Sequence, residues 1–293
     1  MRREQFYEIF KVKIFYENFK RKVGEILENE GVKFEYKEVT KLNGTNLTAI
    51  IIWNMEKNAN AIETPPMIYL NLLYQKFFKK ENAPYLAVQE IKKIYNESMH
   101  QKIILENFMK PENIRMMVIN KMLNKALLEN LPHIEKEDLA VIYMYKQKEF
   151  SAKITYELMK KNNLTPEELL EIAYENMKKD DYSIKNVINI ISDQVEEENN
   201  MYVATNKNMR YGASAIMNTE LLKQFGKEKG YEKFYILPSS IHEIIIIPYE
   251  EKISQKLKNK ICSVNSECVE ADEILSDNLY IYSLKENDFK IVD

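Results

Sequence analysis

Apolar residues recur at helical spacing through residues 4–29, where Val12, Phe15, Phe19, Val23 and Ile26 share a face and Gly31 offers a stop. Period two follows. Val32, Phe34 and Tyr36 alternate with polar residues, Asn43-Gly44 signals a turn, and Leu-Thr-Ala-Ile-Ile-Ile-Trp reads as the returning strand of a hairpin. Thr-Pro-Pro then gives an extended lead-in to a helix carrying Leu70, Leu73, Tyr74 and Phe77, which ends in basic residues suited to a helix C-terminus. Residues 84–109 are helical in pattern, and Asn-Ile-Arg-Met-Met-Val-Ile-Asn-Lys reads as a strand. Leu-Asn-Lys-Ala-Leu-Leu-Glu-Asn-Leu-Pro-His-Ile reads as a bend, and Asp-Leu-Ala-Val-Ile-Tyr-Met-Tyr-Lys as a further strand.

Beyond residue 150, Ser-Ala-Lys-Ile-Thr-Tyr-Glu-Leu-Met-Lys-Lys reads as a strand and then a short helix. Thr165, Pro166 and Glu168 form a capping box with proline at the first helical position, the strongest helix start in the chain. Residues 183–200 are expected to be another helix. Its C-terminal end gathers Asp193, Glu196, Glu197 and Glu198, which oppose the helix dipole at about 0.3–1 kcal/mol each. This cluster reads either as a solvated acidic loop or as a surface kept acidic for a basic partner. Met-Tyr-Val-Ala-Thr-Asn is a strand, and a helix closed by Gly230 follows. The strands Phe-Tyr-Ile-Leu-Pro and His-Glu-Ile-Ile-Ile-Ile-Pro flank a corner. One more helix and two short strands complete the pattern.

Hairpin signals without a regular strand–helix–strand period predict an α+β fold with mixed, largely antiparallel sheets and packed helices. The length of 293 residues fits one compact unit, 1–293, or two intimate subdomains, 1–155 and 156–293, with a soft boundary near 150–165. Hydrophobic residues make up 45% and charged residues 30%, the balance of a globular protein in water. A net charge of −3 implies no bulk attraction to nucleic acid, so direct nucleic-acid binding is not expected. The basic runs Lys11–Lys13, Lys20–Lys22 and Lys76–Lys80, with aromatics between them, read as solvated helix faces, the alternative being RNA phosphate contacts with base stacking. Cys262 and Cys268 suggest no disulfide framework, the N-terminus lacks a signal-peptide core, and no apolar run approaches a membrane span. A cytoplasmic protein is expected.

The candidate chemistry lies in Tyr-Ile-Leu-Pro-Ser-Ser-Ile-His-Glu, which places Ser239, Ser240, His242 and Glu243 within five residues. On a strand, Ser240 and His242 would share one face, with Ser239 and Glu243 on the other, and would stand about 6.5–7 Å apart along the chain, too far for a direct hydrogen bond without a bend. The Gly-x-Ser-x-Gly elbow is absent, and a zinc-protease motif would need histidine where Ile246 stands. The competing reading is a polar corner, in which Pro238 ends one strand, the hydroxyls satisfy turn amides and His242 bonds a backbone carbonyl. His100, His133 and His242 are scattered, the cysteine spacing is not that of a zinc site, and six glycines leave no phosphate-cradling loop. No metal or cofactor is expected.

The segments Pro-Pro-Met-Ile-Tyr-Leu-Asn-Leu-Leu-Tyr, residues 124–143, Met-Tyr-Val-Ala-Thr-Asn with Tyr-Gly-Ala-Ser-Ala-Ile-Met, residues 235–248 and residues 264–282 occur in one order. In that order the chain resembles a family of bacterial proteins, mainly from Firmicutes, classed as a domain of unknown function. Its mark is Pro-Ser-Ser-Ile-His-Glu followed by Leu-Ser-Asp. The resemblance runs from about residue 60 to 284, with Ala204 where leucine is frequent. It implies a cytoplasmic α+β module and no known catalytic residue. The expected function is a non-enzymatic protein–protein interaction or regulatory protein with a protein partner. In its narrowest form this is a phage or mobile-element inhibitor of a type VI RNA-guided nuclease, whose basic face would meet residues 193–198. The alternative is an uncharacterised hydrolase using His242 with Ser239 or Ser240.

Overall fold

Alternation and turn chemistry act first at the N-terminal end. In the computed structural model, which describes residues 3–54, 66–99, 109–146, 151–187, 200–238 and 240–292, a helix α1 (Arg3–Asn29) precedes the hairpin β1 (Lys33–Thr40) and β2 (Asn46–Asn54). The strands pair antiparallel, with a register shift at Lys33/Phe34. Asn43 takes the left-handed conformation (φ 56°) that asparagine tolerates in a tight turn. Between the Thr-Pro-Pro lead-in and the next helix, Met67–Tyr69 form a strand that the sequence pattern did not predict, β3, paired antiparallel with β2. It is followed by α2 (Leu70–Phe77) and α3 (Ala83–Met99). Phe19, Val23 and Leu27 of α1 meet Ile50 and Ile52 of β2, Leu70 and Leu73 of α2, and Val88 and Ile91 of α3 in one core. Residues 1–41 and 45–104 make up this first unit.

The second unit comprises residues 42–44 and 105–293. The soft boundary expected near 150–165 therefore falls inside it. Its first sheet contains β4 (Ile114–Asn120), β5 (His133–Lys136), β6 (Leu139–Lys146) and β7 (Ser151–Lys153), with β6 paired to the other three. Leu139–Tyr145 are all buried, because this strand is covered on both faces. The predicted bend before it holds a one-turn helix, α4 (Lys125–Leu128), and β5, neither of which its polar-flanked pattern announces.

Two helices follow, α5 (Tyr156–Lys161) and α6 (Pro166–Lys179). The capping box is present in full. The Glu168 backbone N–H donates to the Thr165 hydroxyl at 3.2 Å, and the Thr165 N–H donates to the Glu168 carboxylate at 2.8 Å. Asn176 of α6 donates to the carbonyls of Pro111 and Ile114, tying the helix to the start of β4.

The helix expected over 183–200 is corrected at its start. Tyr182–Asn186 form strand β8, which pairs antiparallel with β9 (Tyr202–Asn206). After β9 come a 3₁₀ segment (Gly212–Met217), α7 (Thr219–Lys229), β10 (Lys233–Leu237), β11 (Ile244–Pro248), α8 (Ser254–Cys268), β12 (Tyr280–Ser283) and β13 (Asp288–Ile291). The second sheet runs β13-β12-β10-β11-β9-β8, and every pairing in it is antiparallel. Gly230 closes α7 in the left-handed conformation, as expected. Buried residues of both sheets and of α6 and α7 form one continuous core, which includes Val141, Leu169, Phe225, Phe234 and Tyr282. The fold is α+β with antiparallel sheets among the described residues.

Candidate functional site

Pro238 ends β10, and the chain turns before β11. Ser239 lies outside the described residues. Ser240 is buried and forms an isolated bridge with Ile274. Its hydroxyl donates to the Glu243 carboxylate at 2.7 Å and accepts the His242 backbone N–H at 3.0 Å. Ser240 and Glu243, predicted to lie on opposite strand faces, are thus brought together by the bend. The hydroxyl does not bond the imidazole.

The His242 ring is held by groups far along the chain. Its partners are not the expected backbone carbonyl: Nδ1 accepts the backbone N–H of Tyr211 at 3.2 Å, and Nε2 lies 3.1 Å from a carboxylate oxygen of Glu273. An acceptor at Nδ1 puts the ring proton on Nε2, pointing at Glu273. The ring stacks on Tyr211, with centroids 5.7 Å apart and planes 20° from parallel. Its backbone carbonyl accepts from the Thr205 hydroxyl at 2.8 Å. Backbone bonds from Ile241 to Glu273 and from Ser276 to Pro238 complete the stitch between residues 238–243 and residues 273–276. The corner is a joint between separate segments.

A second network lies behind it. Ser276 and Asn278 donate to one oxygen of Asp138, at 2.6 and 2.9 Å, and the Tyr280 hydroxyl donates to the other. Burial, reinforced by the Asp138 charge, pushes the Tyr280 phenol far above its ordinary value. Asn265 donates to the Ser276 carbonyl and to Asp277. The Leu275-Ser276-Asp277 segment is therefore also bound into the fold.

The joint shapes a cleft within the second unit. Tyr211, stacked on His242, lines a cavity of about 470 Å³. The loop after β9 supplies Lys207, Asn208 and Arg210 to its wall, and Met116 and Met144 line it as well. This loop is built from within. Asn206 accepts the N–H of Asn208 at 3.1 Å and of Arg210 at 3.4 Å, and donates to the Arg210 carbonyl at 2.9 Å. Met209 and Tyr211 both take left-handed φ angles, 50° and 57°. Bulky residues rarely adopt that conformation, and it costs about 1–2 kcal/mol at each. Gly212 next to them admits no side chain, since a Cβ there would stand 2.1 Å from the Thr205 hydroxyl and 2.5 Å from the His242 carbonyl.

Across the cleft, the Arg115 Nε lies 2.7 Å from an Asp180 oxygen, and its Nη1 donates to the carbonyls of Glu112 and Ile114. Burial nevertheless raises the Asp180 carboxyl above its ordinary value, outweighing the attraction of Arg115 and, from further away, Lys146. Sequence reading missed this site because its lining comes from four separate stretches, each with ordinary surface composition.

The other predicted residues are placed as follows. Asp193, Glu196, Glu197 and Glu198 lie outside the described residues, as does His100. The His133 Nδ1 donates to the Leu131 carbonyl at 2.7 Å, and its ring approaches Glu135. Cys262 and Cys268 are exposed and unpaired. Among the described residues no cluster of metal-ligating side chains occurs, and no helix is long and apolar enough to cross a membrane.

A family model described as a family of unknown function (DUF5688) matches residues 12–284. No curated protein and no solved structure matches.

Proposed function

The chain belongs to the family of unknown function DUF5688, and from the site geometry we propose that it is a non-enzymatic recognition protein that engages its target through the cleft beside Tyr211. The observation that carries this reading is the commitment of the His242 ring. One nitrogen accepts a backbone N–H, the other faces Glu273, and the Ser240 hydroxyl donates to Glu243 instead. Nucleophilic catalysis calls for a hydroxyl bonded to its base, with the base oriented by a third group. The cleft, by contrast, has a strained and internally braced loop along one wall. Strain of this kind is typical of binding sites, where a fold holds side chains ready for a ligand.

Turnover is the test. The purified protein is assayed on chromogenic esters and phosphoesters beside Ser240→Ala and His242→Gln. The reading expects no hydrolysis that either substitution removes. Hydrolysis lost in Ser240→Ala at an unchanged melting temperature would establish the hydrolase alternative instead. The narrower form, inhibition of a type VI RNA-guided nuclease, rests on the sequence character alone. It expects nuclease activity to fall when the protein is added in excess, and unchanged activity removes it.

A further inference from the structure

We propose that the cleft beside Tyr211 binds a small phosphomonoester as its dianion, received among Lys146, Lys179 and Arg210; this rests on the recognition reading and gives it a ligand class. The volume of about 470 Å³ is that of a small-molecule site. Five cationic side chains line it, Arg115, Lys146, Lys179, Lys207 and Arg210, against the carboxylates of Asp180 and Asp181. Arg115 is spent on Asp180 and on two backbone carbonyls. Lys207 stands 3.7 Å from Asp181, where both side chains are more than three-quarters exposed. Among the described residues, no carboxylate is in ion-pair contact with Lys146, Lys179 or Arg210. Arg210 lies with its guanidinium 5.3 Å from the Tyr211 ring centroid.

Opposing terms are smaller. The C-terminal end of α6 contributes roughly half a negative charge near Asp180. Lys146, Lys179 and Arg210 together outweigh it. They also choose between anions. A monocarboxylate would leave two of the three uncompensated, whereas a phosphomonoester carries close to two charges at neutral pH and three acceptor oxygens. Met116, Met144 and the Tyr211 ring supply apolar surface for the organic part.

The loop geometry decides which of its groups remain for an anion. Left-handed φ at Met209 and Tyr211 frames Arg210, and the backbone N–H groups of Asn208, Met209, Arg210 and Tyr211 are satisfied within the fold. The loop thus offers side chains, not amides, to an anion.

Isothermal titration calorimetry on the full chain provides the test. The probes are inorganic phosphate, adenosine 5′-monophosphate and glucose 6-phosphate, with adenosine and glucose as uncharged controls and a short single-stranded RNA alongside. The expected result is saturable binding of at least one organic phosphate and none of its uncharged counterpart. Nucleotide and sugar sources are separated by which organic phosphate binds more tightly. Lys146→Gln and Arg210→Gln each weaken binding about tenfold, while Lys223→Gln, on an exposed position of α7, does not. Both cleft positions are exposed, so melting temperatures report whether the fold is retained. If either variant melts early, Lys179→Gln replaces it.

Binding of no phosphate at about 10 mM, a concentration far weaker than a specific site, overturns the proposal. So does equal binding of adenosine and its monophosphate, binding indifferent to the cleft substitutions, or binding of RNA alone. Release of inorganic phosphate from a bound ligand would leave the site standing and refute the non-enzymatic reading.

Discussion

The Nδ1 of His242 accepts the backbone N–H of Tyr211 at 3.2 Å while the two rings stack. A histidine from the strand corner thereby fixes a left-handed tyrosine on the cleft wall. The chemistry-bearing residue of the sequence acts on the site through its neighbour. In this arrangement His242 is a positioning residue.

Two substitutions separate its two nitrogens. Asparagine at 242 can place an oxygen near the position of Nδ1 and keep the Tyr211 N–H satisfied, whereas glutamine reaches only toward Glu273. His242→Gln is expected to destabilise the second unit by about 1–2 kcal/mol, the cost of leaving a part-buried donor unsatisfied, and His242→Asn by clearly less. Chemical denaturation measures both. Equal losses would mean that the Tyr211 bond matters little.

Gly212→Ala tests the packing of the same joint. The added methyl meets the Thr205 hydroxyl and two backbone atoms, the His242 carbonyl and the Asn206 nitrogen, at 2.1, 2.5 and 2.8 Å. Backbone cannot yield as a flexible side chain does, so a loss of about 3 kcal/mol is expected. A melting temperature within a degree or so of wild type would show that the loop shifts freely.

Asp138→Asn addresses the second network. The carboxylate receives hydroxyl and amide donors from Ser276, Asn278 and Tyr280. An amide replaces one accepting oxygen by another donor. The expected cost is about 2–3 kcal/mol, in line with lost hydrogen bonds to a charged group, and it appears as an earlier unfolding midpoint.

Alkaline pH reaches the tyrosines. Burial raises Tyr182 and Tyr280 and pushes Tyr143 and Tyr282 up to about 12. Between an unfolded value of 10 and these higher values, the native chain holds protons that the unfolded chain releases. Stability is therefore full below the unfolded value and falls as pH rises through the folded ones. Melting temperatures should be level to about pH 10 and drop steeply by about pH 12, and the last of the phenolate absorbance should appear together with unfolding. Ionisation of all nineteen tyrosines in a chain still folded would contradict this.

Much of the scaffold was legible. The capping box at Thr165, the Gly230 stop and the isoleucine-rich strand after His242 follow from local chemistry, and each stands where its residues predict. Tyr182–Asn186 did not, because a short segment with apolar residues at mixed spacing fits either element. Its partner Tyr202–Asn206 decides for a strand, and that pairing is a tertiary fact. The polar corner was readable from Pro238 and Ser240, but Glu273 and Tyr211, which hold the ring, come from distant stretches. The cleft was hidden for the same reason. Lys146, Lys179 and Arg210 are unremarkable in sequence, and only the meeting of β6, α6 and the loop after β9 gives them a common opening.

The turn at residues 42–44 belongs with the second unit, although the strands on either side of it belong to the first. Asn43 donates to the carbonyls of Ala271 and Ile274 and exchanges hydrogen bonds with Asn124. A gene fragment beginning at residue 105 would leave those carbonyls and that amide without their partners. A single breakpoint between residues 104 and 105 would therefore not part the two units cleanly, because residues 42–44 would be left on the wrong side of the cut.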